Sequence, residues 1–216
     1  MPFEVQRPSG GVNDVVTDSE DKGAADPPPA RRLWIVEAGV VVVVALCAAV
    51  LLRLFIVQSF FIPTGSMIPT LEKGDRIVVN KLSYDLHGVG RGDIVVFARP
   101  PREDCAGPPV SDLVKRVVGL PGESISLNGH GRIEINGRIL HETWLPASVQ
   151  GTTYPGPAGT AYSLLQPFKI PTGDYFVMGD ARENSCDSRY WGPIMRSEIV
   201  GKVDFRVWPV RSFSIF

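Results

Sequence analysis

Asp112-Leu113-Val114-Lys115-Arg116-Val117-Val118-Gly119-Leu120-Pro121-Gly122-Glu123 reads as a β-strand running into a turn. The valines favour a pleated surface over a helix, and Gly119, Pro121 and Gly122 stop the run. Similar short branched runs recur outward from it: Arg76-Ile77-Val78-Val79, Ile94-Val95-Val96-Phe97, Ile133-Glu134-Ile135, Tyr175-Phe176-Val177-Met178 and Val203 to Trp208. Gly, Pro, Asn and Asp clusters separate them, and no helix-length amphipathic stretch competes. Asn128-Gly129 and Asn136-Gly137 flank Arg132-Ile133-Glu134-Ile135 as a pair of hairpin turns. The expected fold is mainly β and antiparallel, with hairpins and long loops. Arg99 to Ser111 and Ala147 to Pro167 are Pro- and Gly-rich surface excursions.

Ahead of this domain, Ala38 to Val57 is a nearly unbroken apolar run. As a helix its twenty residues extend about 30 Å, the thickness of a bilayer's hydrocarbon core. Arg53 is its only charge and lies near enough to one end to snorkel; Glu37 sits just outside the other. Arg31 and Arg32 precede the run, so the N-terminus is expected on the cytoplasmic side and the remainder outside. A cleaved secretory signal is the weaker reading, since the apolar region is too long and no A-x-A site precedes a polar start. The expected organisation is a disordered cytoplasmic tail over 1–32, a transmembrane helix over 33–57 and an extracytoplasmic β-rich domain over 58–216.

Within residues 1–30, Glu4, Asp14, Asp18, Glu20, Asp21 and Asp26 outweigh Arg7 and Lys22, around Pro27-Pro28-Pro29. Such a segment cannot bury enough apolar surface to fold. The whole chain carries a formal charge of −1, so no strong basic field is left for nucleic acid.

Ser66 lies in Ile62-Pro63-Thr64-Gly65-Ser66-Met67-Ile68-Pro69-Thr70-Leu71, just beyond the apolar run. A serine hydroxyl is a poor nucleophile until a base takes its proton. Lys115 is the best candidate. In water a lysine has a pKa near 10.4, and lowering it by roughly three units takes about 4 kcal/mol, which burial can supply. In a strand Lys115 shares a face with Leu113 and Val117. If that face is packed the amine can be a base; if not, it is a solvated charge. A third segment, Met178-Gly179-Asp180-Ala181-Arg182-Glu183-Asn184-Ser185-Cys186-Asp187-Ser188-Arg189-Tyr190-Trp191-Gly192, crowds acids, arginines and small polar groups into a loop after an apolar strand.

Taken together, and with Gly74-Asp75-Arg76-Ile77-Val78-Val79-Asn80-Lys81 as a fourth box, these segments resemble the bacterial type I signal peptidase (leader peptidase) family. The resemblance runs in order over about residues 58 to 210. It implies a membrane-bound serine endopeptidase with a Ser-Lys dyad, Ser66 matching the nucleophile and Lys115 the general base. Thr64 falls where the family has an oxyanion-hole hydroxyl, beside the nucleophile's own N–H. Ser185 matches the serine that orients the lysine amine. Arg116 with Asp180, and Arg189 with Asp187, match structural ion pairs. Ala181 and Glu183 depart from the usual Asn and Asp, which bears on loop rigidity rather than on proton transfer.

No cofactor or metal is implied. The expected substrates are exported preproteins, cleaved after small residues at Ala-x-Ala sites. An extended peptide would pair between the strands before Ser66 and before Lys115, with shallow apolar pockets from Phe60, Ile62, Met67, Leu113 and Val114. The implied location is the plasma membrane, with Ser59-Phe60-Phe61-Ile62 contributing either to a lipid-resting face or to an interfacial belt.

Two alternatives remain. A Ser-His hydrolase would draw on His87, His130 or His141, none of them in a catalytic setting, and there is no G-x-S-x-G elbow. An inactive, membrane-tethered binding module would have no need of Ser66, Lys115 and Ser185 together. Cys47 falls in the apolar run, leaving Cys105 and Cys186 either joined or as free thiols.

Overall fold

The computed structural model describes residues 30–105, 110–151 and 153–216, with the side chains of its first helix described from Trp34 to Val50. Residues 1–29 of the expected tail lie outside the described residues. The chain divides into two units, residues 1–44 and 45–216.

Helix α1 spans Ala30–Phe55, starting before and stopping short of the expected 33–57. Its apolar side chains from Trp34 to Val50 are exposed. Among the described residues no helix is long and apolar enough to cross a membrane.

The second unit is built from antiparallel strands: β1 (Val57–Phe61), β2 (Arg76–Asn80), β3 (Ile94–Ala98), β4 (Asp112–Gly119), β5 (Ser124–Leu127), β6 (Ile133–Ile135) and β7 (Arg138–Ile139). They continue through β8 (Phe168–Lys169), β9 (Asp174–Met178), β10 (Ile194–Met195), β11 (Ile199–Trp208) and β12 (Ser214–Ile215). Two four-residue helices, α2 (Ser83–Leu86) and α3 (Ser188–Trp191), interrupt them. The larger sheet has the order β1-β2-β11-β3-β4-β9-β10, with β12 on β11; the smaller is β7-β6-β5-β8.

The run Ile94 to Phe97 in β3 is buried throughout, because the large sheet is covered on both sides there, whereas β2, β6 and β11 alternate buried with more exposed positions. In β3, Ile94 and Val96 pack with Ile62, Met67, Leu71 and Val203, whereas Val95 and Phe97 pack with Val117, Val177 and Trp191. A strand buried on both faces has no reason to alternate. The small sheet has its own core around Ile125, Ile133, Leu164 and Phe176.

Of the two expected Asn-Gly turns, one has the two-residue form. Asn136 and Gly137 take φ of 51° and 74° between β6 and β7, the left-handed pair that a tight hairpin needs. At Asn128 the loop is longer. Its Oδ1 accepts from the backbone N–H groups of His130 and Arg132, and Gly131 rather than Gly129 takes the positive φ.

The pairing of β4 sets up the site. One edge is hydrogen-bonded to β3 from Asp112 to Arg116, but β9 joins the other edge only from Arg116 onward. Among the described residues, no strand pairs with the second edge of Asp112 to Lys115.

Candidate active site

Ser66 sits in a tight turn just after β1, anchored by Met67 and Leu71, which are buried in the core. The Ile68 N–H donates to the Gly65 carbonyl at 3.1 Å and the Leu71 N–H to the Met67 carbonyl at 2.9 Å. The loop after β9 holds the turn from the other side, where the Ala181 N–H donates to the Ser66 carbonyl at 3.1 Å. The departure at Ala181 therefore leaves this contact intact, since the backbone makes it. Close approach is possible because residue 179 is glycine: a Cβ there would lie 2.4 Å from the Ser66 carbonyl oxygen.

Lys115 is on the packed face of β4, only 4% exposed. Its Nζ donates to Ser66 Oγ at 2.7 Å and to the Val114 carbonyl at 3.1 Å. Burial pulls its pKa down to about 8, and the negative charges of Asp187 and Glu103 only partly oppose this. The other buried cations are paired. Arg116 binds Asp180 through two bonds of 2.8 and 2.6 Å, and Arg189 binds Asp187 at 2.7 and 2.6 Å. Arg182 binds Glu142, one bond being 2.7 Å. Among the described residues, Lys115 is the buried cation with no carboxylate in salt-bridge contact.

Thr64 Oγ1 lies 3.4 Å from Ser66 Oγ, on the same side of the turn. Ser185 is buried, but its hydroxyl makes no hydrogen bond, so the expected bond to the lysine amine is not formed. The hydroxyl faces Gly179, where an added Cβ would meet it at 2.2 Å. Asp187 organises the loop: its carboxylate accepts from the N–H of Gly179 at 2.9 Å and of Arg189 at 3.2 Å. Burial acts to raise the Asp187 pKa, but Arg189 outweighs it and holds the carboxyl below its ordinary value.

Two connected clefts meet at Ser66. Phe60, Ile62, Met67, Leu113 and Val114, the five residues expected to form substrate pockets, all line one small cleft. Ile62 and Met67, nearly fully buried, form its floor. Arg99, Glu103 and Asn184 line the other. His87, His130 and His141 are exposed and line neither cleft. Cys105 and Cys186 are joined in a disulfide, with Cα atoms 6.3 Å apart, tying the Arg99 to Ser111 excursion to the loop after β9. Glu103 lies beside both sulfurs, but bonded sulfurs have no thiolate to offer a metal.

Sequence reasoning missed two contacts. Glu142 pairs with Arg182 across forty residues, and the Thr70 hydroxyl donates to Asp180 at 2.5 Å. Glu142 stands in a loop with no local signal; Thr70 lay in the quoted Ser66 segment but carried no assigned role.

The family model described as signal peptidase, peptidase S26, matches residues 35–208. The chain is 39% identical to "Signal peptidase I" of Bacillus caldolyticus, covering 79% of this chain and 90% of that one. It is 36% identical to "Probable signal peptidase I-2" of Synechocystis sp., covering 84% of this chain and 77% of the relative. A crystal structure of a signal peptidase I from Enterococcus faecalis aligns with a TM-score of 0.41 at 29% identity, covering 54% of this chain and 97% of that one. With nearly the whole β-rich unit matched, this chain belongs to the signal peptidase family, peptidase S26.

Proposed function

We propose that this enzyme is a membrane-anchored serine endopeptidase that removes N-terminal signal peptides from exported preproteins, with Ser66 as nucleophile and Lys115 as general base. The observation that carries this reading is the buried, carboxylate-free Lys115 amine, 2.7 Å from Ser66 Oγ. As the neutral amine accepts the hydroxyl proton, Oγ attacks the scissile carbonyl. The Thr64 hydroxyl and the Ser66 N–H face the developing oxyanion. Collapse of the tetrahedral intermediate breaks the C–N bond, and the Lys115 ammonium returns its proton to the departing amine of the mature protein. Water, deprotonated by the same amine, then attacks the ester carbonyl; the bond to Ser66 Oγ breaks, the Lys115 ammonium returns its proton to that oxygen, and the signal peptide leaves as an acid that ionises to its carboxylate. Arg116–Asp180 and Arg189–Asp187 brace the loop that packs against Ser66.

The free edge of Asp112 to Lys115 offers main-chain hydrogen bonds to an extended substrate, whose side chains before the cut enter the apolar cleft. A shallow cleft with Ile62 and Met67 as its floor favours small residues, as in Ala-x-Ala sites. Residues 33–57 are proposed as the anchor, supported by the exposed apolar side chains of α1. Residues 1–32 would be the cytoplasmic tail and 58–216 the extracytoplasmic domain, in the orientation that Arg31 and Arg32 favour. Phe61 and Trp208, both exposed and both in register with Arg76, would rest on the lipid surface.

The test is the pH dependence of preprotein cleavage, with the new N-terminus sequenced. Burial destabilises the ammonium, so the free base forms near pH 8 instead of near the ordinary lysine value. Below that point kcat/KM should fall about tenfold per pH unit as the base is protonated. A rate still climbing at about pH 10 would show that Lys115 is solvated and would remove it as the base.

Replacing Thr64 by valine keeps the volume and deletes one donor. Thr64→Val should lower kcat by about 10²-fold with KM little changed. A raised KM with unchanged kcat would make Thr64 a binding residue.

A further inference from the structure

The two clefts share Thr64, Ser66, Val110, Leu113 and Lys115, so a single channel passes over the nucleophile. Its halves differ in chemistry. One is apolar and runs beside the free edge of β4. The other is walled by Arg99, Glu103 and exposed Asn184, with the Cys105–Cys186 disulfide behind them. On the reading above, residues before the cut occupy the apolar half, so the first residues of the mature protein must leave through the charged half.

The positive member of this half's ion pair is the more exposed one. Glu103 is the more deeply buried partner of the Arg99 pair, its side chain 8% exposed against 30% for Arg99. Arg99 uses Nε on the Glu103 carboxylate and Nη2 on the Glu103 carbonyl at 3.3 Å. Among the described residues its Nη1 makes no hydrogen bond. The backbone is fixed as well, because the Arg99 N–H donates to the Ser111 carbonyl at 2.8 Å. A guanidinium with one edge tied down and one edge open is preorganised for a carboxylate. Since Glu103 also lies close enough to act on the Lys115 amine, this wall stands beside the reacting atoms.

We propose that Arg99 is a specificity-determining residue that selects an acidic side chain among the first two residues of the mature protein. The proposal rests on the Ser66–Lys115 reading and adds a mature-side subsite to it. It is tested with the full-length enzyme in detergent and three peptides sharing one Ala-x-Ala segment, with Asp, Asn or Lys at the second mature position. Wild type should cut them with kcat/KM in the order Asp, Asn, Lys, about fivefold between the first two, as befits a partly solvated charge-assisted contact. Arg99→Gln should abolish the preference for Asp over Asn and Lys, read as the ratios of kcat/KM among the three peptides within that variant. Because Arg99 also holds Glu103, a second variant on an exposed residue guards against misfolding: Asn184→Asp should lower the Asp peptide relative to the Lys peptide. Equal cleavage of all three by wild type overturns the proposal, as does a uniform loss in Arg99→Gln with Asn184→Asp unchanged. If wild type cuts none of them, the Ser66–Lys115 reading fails and the subsite falls with it.

Discussion

Ser66→Ala and Lys115→Ala should each abolish preprotein cleavage, with losses of about 10⁴-fold or more in kcat, while the protein stays folded. The two groups act on one proton. Without Oγ there is nothing to acylate, and without Nζ the hydroxyl at 2.7 Å has no acceptor for its proton. Their effects should therefore not add, and the double variant should be about as slow as either single one. Folding should survive because Ser66 is small and partly exposed, and because removing a buried amine without a carboxylate partner also removes its desolvation cost. Thermal unfolding of the two variants checks this. Residual activity within about tenfold of wild type in either would rule out the dyad.

Asp187→Asn should be the most damaging substitution for stability. Asp187 and Arg189 are both 0% exposed, and the carboxylate also accepts the Gly179 N–H. Neutralising the acid leaves a guanidinium buried without a countercharge, which costs about 3–5 kcal/mol. For a chain of this size that corresponds to a Tm lower by roughly 6–20 °C. Asp187→Asn combined with Arg189→Met removes the orphaned charge, so the double variant should melt above Asp187→Asn alone. If it melts lower still, the pair is contributing more than mutual neutralisation. Calorimetry of the three proteins separates these outcomes.

The strands were legible from short branched runs bounded by turn residues: Ile94 to Phe97 fills a strand covered on both faces, and Ile133-Glu134-Ile135 alternates with its isoleucines buried. Lys115 was legible only conditionally. Its alternation with Leu113 and Val117 defined a face, but that this face is packed depends on Val177 and Trp191, some sixty residues or more away in sequence. The ion pairs Arg116–Asp180 and Arg189–Asp187 followed from the resemblance, not from spacing. Arg182–Glu142 did not, since His141-Glu142-Thr143 looks like any solvated loop until the fold brings it against Arg182. Ser185 shows a limit of another kind: its position in the loop is as anticipated, but the hydroxyl turns toward Gly179 rather than bonding the amine. The disulfide was undecidable from sequence, because nothing local to Cys105 or Cys186 encodes a separation of 81 residues closing to bonding distance.

Lys115 and Arg116 are neighbours that project from opposite faces of β4, one toward Ser66 and the other toward Asp180. A slip of one residue in the pairing with β3 would exchange them. The proposed nucleophile would then face a guanidinium, which never gives up its proton at physiological pH. A misaligned chain would thus be inert rather than promiscuous: the same hydrogen-bond register that closes the sheet decides whether a protease exists at all, and a newly made molecule has no cutting power until β4 has zipped correctly.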